Sequence, residues 1–432
     1  MSSQSRLSAA LRAGAYDSAL TELNGSWMTG DALAGLRARA ERVTGEFCDR
    51  FSRQDSGMAL FSAPGRTELG GNHTDHQHGH VLCASVDMDM LACAAPNSAS
   101  EIRVISEGYP AVTVKLDSLE PVDGEKGTTC ALVRGVAAGI RARGYRISGF
   151  DAFVSSEVLS GSGLSSSAAF EILIGNILNR FFCRGELDSV ELAKLGQQAE
   201  NVYFGKPCGL MDQLGASVGG AIAVDFAVPD APAVEQIHFD FAASGHVLCI
   251  VDTASDHADL TEDYAQIPRE MSAVAAYFGK TVLREVDESL FRGEIPALRR
   301  SCGDRAVLRA LHYYHDDHAA RAEAEALAQG DFEGFLKLVN ASGLSSELCL
   351  QNAWSPANPR QQSVPMALAF GRELLEGSGA IRVHGGGFAG TIQAFVPQER
   401  LEIFRTGMEQ LLGAGRCHVL HIRPRGGCML GI

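Results

Sequence analysis

Leu159-Ser160-Gly161-Ser162-Gly163-Leu164-Ser165-Ser166-Ser167-Ala168-Ala169-Phe170 is the stretch around which the rest of the chain can be ordered. Before it, residues 150–158 alternate apolar and polar side chains as a half-buried strand does. After it, residues 168–178 are apolar enough for a buried helix. The order is therefore strand, small flexible loop, helix. Gly161 and Gly163 permit backbone angles that other side chains forbid. Ser165, Ser166 and Ser167 fall where the first helical N–H groups lack partners. Such a helix start attracts anions, because free N–H groups and the helix dipole converge there. The serine hydroxyls add donors for a phosphate or oxygen ligands for a metal ion. The plain alternative is a serine N-cap behind a flexible loop, and the local sequence leaves both readings open. This is not a Walker loop: Gly279-Lys280-Thr281 ends like one, but Val274 stands where its first glycine belongs. No Gly-x-Ser-x-Gly nucleophile elbow occurs either.

The chain has 432 residues, 46% hydrophobic and 21% charged, which suits a globular protein of two or three domains. A net charge of −15 argues against a nucleic-acid partner. No apolar run reaches the roughly 18 residues of a membrane span, so no membrane partner is expected. Residues 1–15 are polar and lack the apolar core of a signal peptide. The eleven cysteines are scattered without a Cys-x-x-Cys pair, as fits reduced thiols in a cytoplasmic protein.

Residues 1–45 show leucines at helical spacing and read as a packing appendage. A short strand at 58–63 is expected to turn at Pro64-Gly65. Strands follow at 81–94, 102–105 and 112–116, the last two as a hairpin. A helix over 130–143 ends at Gly144, and a second helix after the serine loop covers 189–202. Strands are expected at 221–226 and 247–251, with a turn-rich break at 229–232 between them. The second half reads as mainly helical to about Gly377, with one amphipathic helix over 321–338. A strand, glycine turn and strand fill 381–396, and a last strand covers 417–422. Strands and helices interleave without a regular βαβ rhythm, which predicts an α+β fold.

Three constellations carry the chemistry. In the first, Ala63-Pro64-Gly65-Arg66 leads into Gly70-Gly71-Asn72-His73-Thr74-Asp75-His76-Gln77-His78-Gly79-His80. Such a polar turn suits a polyhydroxylated ligand, and Arg66 offers a planar fork of donors to a phosphate or carboxylate. Its rivals are a zinc site on His73, His76, His78 and His80, which lacks a thiolate or Glu-x-x-His frame, and a solvated hairpin. The second constellation joins the serine loop to Glu200 and to Pro207-Cys208-Gly209-Leu210-Met211-Asp212-Gln213. Glu200 and a loop serine could hold Mg²⁺, which takes a few oxygen ligands plus phosphate. Asp212, between apolar neighbours, reads as a general base or as a helix-capping aspartate. In the third, Arg382-Val383-His384-Gly385-Gly386-Gly387-Phe388-Ala389-Gly390-Thr391 makes a backbone nest over a nucleotide, or a plain turn with bulges. His312, His315 and His318, beside Asp316 and Asp317, read as a solvated helical face.

Taken together and in this order, the three constellations resemble the motifs of the GHMP kinase superfamily, and within it the galactokinase family. That family's Gly-Glu-His-Thr-Asp-Tyr is similar to Gly71-Asn72-His73-Thr74-Asp75-His76 here. Its Pro-x-Gly-x-Gly-Leu-Ser-Ser-Ser-Ala loop is matched with Leu159 in place of proline. Its Pro-Cys-Gly-Ile-Met-Asp-Gln differs only at Leu210, and its Gly-Gly-Gly-Phe-Gly-Gly only at Ala389. The likeness runs from about residue 51 to the C-terminus.

The resemblance implies a two-domain α+β kinase with its site between the domains. A helical extension over 1–50 would precede a ribosomal-protein-S5-like domain over 51–240 and a ferredoxin-like domain over 241–432. It implies ATP and Mg²⁺, small-molecule partners only, and a monomer or weak homo-oligomer. Arg66 and Asp212 would be the catalytic pair, and Ser167 and Glu200 would hold Mg²⁺. Asn72, His73, Asp75, Gly209 and Tyr264 fall at sugar positions. Gly161, Ser162, Gly163, Leu164, Ser165, Ser166, Ser167, Gly386 and Gly387 fall at ATP positions. The expected reaction is galactose to galactose 1-phosphate. The alternatives are a kinase for a related sugar such as galacturonate and a non-catalytic sugar and nucleotide sensor. Asn72 and His76 motivate the galacturonate alternative, because an amide replaces the glutamate expected to repel a sugar carboxylate.

Overall fold

The computed structural model describes residues 6–53, 57–158, 163–255 and 260–431, so Gly161 and Ser162 of the serine loop lie outside the described residues. Helices α1 (Arg6–Arg12), α2 (Asp17–Asn24) and α3 (Gly30–Phe51) come first. Their inward residues, among them Leu11, Leu20, Val43 and Phe47, pack on Leu60, Leu91 and Phe153 of the first sheet. Buried Arg39 of α3 reaches Asp89 at 2.6 Å and Glu157 at 2.9 Å. An apolar face and a buried cation together fix these helices to the sheet.

The described residues form an eight-stranded and a four-stranded sheet. The first contains β1 (Ala59–Gly70), β2 (His80–Pro96), β3 (Glu101–Ser106), β4 (Val112–Lys115), β5 (Phe150–Ser156), β6 (Ala221–Asp225) and β7 (Ala233–Ile237). Its eighth strand is β12 (Cys428–Leu430), by which the chain end returns to pair with β1. The order is β12-β1-β2-β5-β3-β4, with β6 joined to β2 and β7 to β6. β2 pairs with β1 along one edge and shares its other edge between β6, through Ala84, and β5, from Met90 onward. On this sheet lie α4 (Thr129–Ala142), α5 (Ser166–Phe182), α6 (Ser189–Gln198) and α7 (Met211–Val218). The second sheet, β11-β8-β10-β9, is antiparallel throughout: β8 (His246–Asp252), β9 (Ala380–Val383), β10 (Thr391–Pro397) and β11 (Cys417–Leu420). Between β8 and β9 run α8 (Thr261–Tyr277), α9 (Glu288–Cys302), α10 (Asp304–Ala328), α11 (Phe332–Ser345) and α12 (Ser363–Leu375), and α13 (Leu401–Leu412) follows β10.

Several expectations are corrected. β1 does not turn at Pro64-Gly65 but runs on to Gly70, with register shifts between Pro64 and Arg66 and between Glu68 and Gly70. Bulges admit the proline and re-aim the side chains that follow it. The helix expected over 189–202 changes at Ala199 into a π-helical turn, residues 199–204. The single helix expected over 321–338 is two: α10 stops near Gly330, and Asp331 starts α11 by accepting from Gly334 N at 2.9 Å. Strands β7 and β12 are not among the expected strands: they are short, and only Ile237 and Leu430 in them are buried. His312 is not solvated: it and Asp316 are completely buried, while His315 and His318 face out. The i,i+4 pair sits on the face of α10 that meets the loop after β1. All eleven cysteines are free thiols. No helix of the described residues is long and apolar enough to cross a membrane.

Candidate active site

Arg66 leaves β1 beside α7, where Gly215 makes room: a Cβ there would stand 2.9 Å from that of Arg66. The guanidinium meets Asp212 through Nε at 2.8 Å and Nη2 at 2.6 Å, and Nη1 donates to the Gly163 carbonyl. Asp212 lies in the first turn of α7, yet its side chain does not cap the helix. Its second oxygen accepts from the Ser165 hydroxyl. Burial opposes ionisation of Asp212, but the Arg66 charge and these hydrogen bonds outweigh it and hold the carboxyl below its usual range. Burial likewise works against the Arg66 charge, and Asp212 more than restores it. Arg66 is 5% exposed, whereas the Asp212 side chain keeps 28% of its surface open.

Ser165 takes a left-handed backbone (φ 57°) at the start of α5, and no side chain caps the helix. The N-cap alternative therefore fails: the Ser165 oxygen accepts no helical N–H, and its hydroxyl donates to Asp212 instead. Ser166 and Ser167 form the first turn, and Leu164 is fully buried with its carbonyl accepting from Arg66 N at 3.1 Å. Gly163 (φ +73°) lies so close to the third constellation that a Cβ would meet His384 Nδ1 at 3.0 Å and Thr391 Oγ1 at 3.1 Å. Ser167 donates to Glu200 Oε1 at 3.1 Å. Glu200, in the π-helical turn, also takes Gln213 Nε2 on Oε2 at 3.0 Å and Lys206 Nζ on Oε1 at 3.3 Å. A π-turn here matches their tendency to mark functional positions. A hydroxyl and a carboxylate oxygen, side by side at the helix start, are hard donors of the kind Mg²⁺ takes.

The residues expected on the sugar side divide. Asp75 faces Gly209 so closely that a Cβ at Gly209 would come within 2.4 Å of its Oδ2. His73 Nε2 lies 3.0 Å from the Gly386 carbonyl, and burial together with neighbouring His76 pushes its pKa down to about 4. Tyr264 donates to the Gly387 carbonyl at 2.9 Å, and its ring fills the space a Cβ at Gly386 would need. Burial and Asp263 push its phenol up to about 12, so it stays a donor. Asn72 departs from expectation. It is fully buried, and its Nδ2 donates to Glu68 Oε1 at 2.8 Å and the Gly385 carbonyl at 2.7 Å. Its Oδ1 accepts from Asn352 Nδ2 at 2.8 Å. The amide expected to meet a sugar is thus engaged by the protein itself. The histidines of this loop are dispersed too, His80 contacting Asp317 at 2.9 Å and Asp225 at 3.3 Å. Among the described residues no group of three or more His, Cys, Asp or Glu side chains could hold a metal ion.

All three constellations therefore converge, joined by Arg66 to Gly163, by Thr67 Oγ1 to His384 Nε2 at 3.1 Å, and by Asn72 to Gly385. Sequence reasoning missed Lys206, Gln213, His384 and Asn352. Only Gln213 and His384 fell within quoted motifs, and neither carried a local signal of its partner.

Known proteins resemble this chain in domain, signature and fold. Residues 131–220 match the GHMP kinase N-terminal domain, and residues 45–96 match the galactokinase galactose-binding signature. A galactokinase of Streptomyces coelicolor is 28% identical over 387 residues, covering 89% of this chain and 94% of that protein. The structure of Lactococcus lactis galactokinase complexed with galactose superposes with a TM-score of 0.76 at 24% identity, covering 89% of this chain and 98% of that one. The Methanococcus jannaschii mevalonate kinase shares the fold at a TM-score of 0.61 and 14% identity, over 85% of this chain and 99% of that one. Domain, signature and fold thus meet in one chain, which carries a GHMP kinase N-terminal domain and a galactokinase galactose-binding signature and is similar to galactokinases along most of its length.

Proposed function

We propose that this protein transfers the terminal phosphoryl group of ATP to the anomeric hydroxyl of galactose. The observation that supports the reading most is the Arg66–Asp212 ion pair at 2.6 Å, partly open beside the start of α5. Asp212, held ionised, accepts the hydrogen bond of the sugar hydroxyl, orients its oxygen and takes its proton. Arg66 keeps Asp212 charged and offsets the negative charge of the phosphoryl group. Phosphoryl transfer needs chiefly such positioning and neutralisation. The uncapped start of α5 and the close-packed Gly163 suit the phosphates. Ser167 and Glu200 are the residues that would hold Mg²⁺, which when bound neutralises phosphate charge. His73 and Asp75 would face the sugar, with Gly209 keeping that side clear, and Tyr264 would brace Gly386 and Gly387 beside the nucleotide.

Galactose is favoured by the galactose-binding signature at residues 45–96 and by the galactokinase relatives. The galacturonate alternative loses the direct contact it drew from the Asn72 amide, which the protein itself engages, and keeps the missing glutamate and the exposed His76 as its support. We expect galactose to give the highest kcat/KM when ADP release is followed with galactose, N-acetylgalactosamine, arabinose and galacturonate. Preference for galacturonate would overturn the choice of sugar. Tight binding of sugar and ATP without turnover would make the protein a sensor.

A further inference from the structure

Glu200 is 1% exposed, and a carboxylate that deep needs a cation beside it. In this structure the cation is Lys206. Its Nζ lies 3.3 Å from Oε1, the same oxygen that accepts the Ser167 hydroxyl at 3.1 Å, while Oε2 is held from the other side by Gln213 at 3.0 Å. The placement is built into the backbone. The carbonyl of Glu200 accepts the N–H of Gly205 at 3.0 Å and of Lys206 at 3.1 Å. Gly205 (φ +85°) supplies the left-handed residue that brings the chain round. Lys206 is thus anchored at its backbone by the residue whose carboxylate its side chain meets. Yet that side chain is 65% exposed on a flexible stem.

We propose that Lys206 is an exchangeable counter-cation, seated on the metal-facing oxygen of Glu200 until a divalent ion displaces it. The inference rests on the reading of Ser167 and Glu200 as metal ligands. Oε1 already accepts a hydroxyl and an ammonium, so a divalent ion can enter only as the ammonium leaves. Like charges cannot share one carboxylate oxygen without opposing each other. Lys206 therefore raises the concentration of divalent ion needed to load the site, and it protects the buried carboxylate between turnovers.

Mn²⁺ binding to the full chain tests this, followed by the paramagnetic resonance of free Mn²⁺ with a non-hydrolysable ATP analogue present. Lys206→Met should lower the half-saturating Mn²⁺ concentration by about two- to fivefold, the range of a partly exposed ion pair. Lys206→Gln, which removes the charge but keeps a donor, should shift it the same way and covers a failure of Lys206→Met to fold. Glu200→Gln should weaken Mn²⁺ binding and erase the effect of Lys206→Met in the double variant. If Glu200→Gln leaves Mn²⁺ binding untouched, the metal reading itself is wrong. If Glu200→Gln weakens it but the Lys206 variants match the wild type or bind more weakly, the counter-cation is wrong and the metal reading stands.

Discussion

Arg66 and Glu68 are next-but-one neighbours on β1, and each anchors a cluster of charges with an opposite character. The Arg66 cluster is matched and open: one guanidinium, one carboxylate, a serine hydroxyl, and a carboxylate surface still 28% exposed. The Glu68 cluster is unmatched and sealed. Arg382 meets Glu68 at 3.0 Å, and Asp316 and Glu323 crowd the same volume, all of them 4% exposed or less. Neither oxygen of Glu323 has a hydrogen-bond partner. Its carboxyl lies over Gly70, where a Cβ would come within 1.7 Å. Burial pushes Glu323 far above the usual carboxylate range and Glu68 up to about 7. Charge density alone does not mark a catalytic site. What separates the clusters is access for a ligand, and that Asp212 is held ionised while Glu68 and Glu323 are driven to take protons, Asp316 beside them being held, against its burial, below the usual range by His312 and Arg382.

The sharpest way to break this comparison is a pair of variants. Asp212→Asn keeps the shape and removes the anionic oxygen, so kcat should fall by about 10²- to 10⁴-fold, as for loss of a general base. Its urea midpoint should move far less than its rate. Arg382→Met should do the reverse. It strands Glu68 in a sealed site and should cost about 3–5 kcal/mol of stability, read as a fall in urea midpoint. If Arg382→Met lowers kcat with its midpoint intact, the closed cluster takes part in catalysis and the distinction fails.

How far the sequence could foresee this depends on how local each signal was. The order strand, serine loop, helix was readable because glycines and an apolar run sit next to one another. The bulge in β1 was not, since Pro64-Gly65 reads the same in a turn and in a bulged strand. Periodicity also runs smoothly across Gly330 and Asp331, so the break between α10 and α11 was hidden. Arg66 and Asp212 were found through family motifs, although 146 residues separate them. The partners of Asn72 were not, because Asn352 stands 280 residues away and outside any motif. An asparagine in a polar loop looks equally fit for a sugar or for the interior, and only tertiary packing chooses.

Asn72→Glu sharpens that choice, with a smaller effect. From sequence, the change should be neutral or improve galactose use. In the structure it removes the donor to Glu68 Oε1 and the Gly385 carbonyl, and adds an acid beside Glu68 and Asp316. Unpaired buried acceptors cost about 1–3 kcal/mol, so thermal unfolding should shift down before any gain in kcat/KM for galactose. A variant as stable as wild type with improved galactose turnover would return Asn72 to the sugar site.

The smallest effect is a slope. Burial is the main cause that lifts Glu68 to about 7, opposed by Arg382 and the Asn72 hydrogen bond. Its ordinary value is 4.5, so between about pH 4.5 and 7 the folded state holds more of this proton than the unfolded state does. Glu68 therefore favours folding below that window, and its contribution is lost as pH rises through it. His73 acts in the opposite sense. Its pKa falls from 6.5 to about 4, so between those values the unfolded state holds more protons, and stability rises with pH. Over the overlap the two slopes oppose each other. Glu68→Gln removes one and leaves the other. Relative to wild type, the variant should gain stability as pH rises from about 4.5 to 6.5, by at most about 1.4 kcal/mol per pH unit. Urea midpoints of both proteins across that range measure the difference directly, since groups common to both cancel. Parallel curves would mean that Glu68 stays ionised throughout, with Arg382 sufficient to hold it so. The closed cluster would then be as well matched as the open one, and the contrast drawn from Arg66 and Glu68 would rest on access alone.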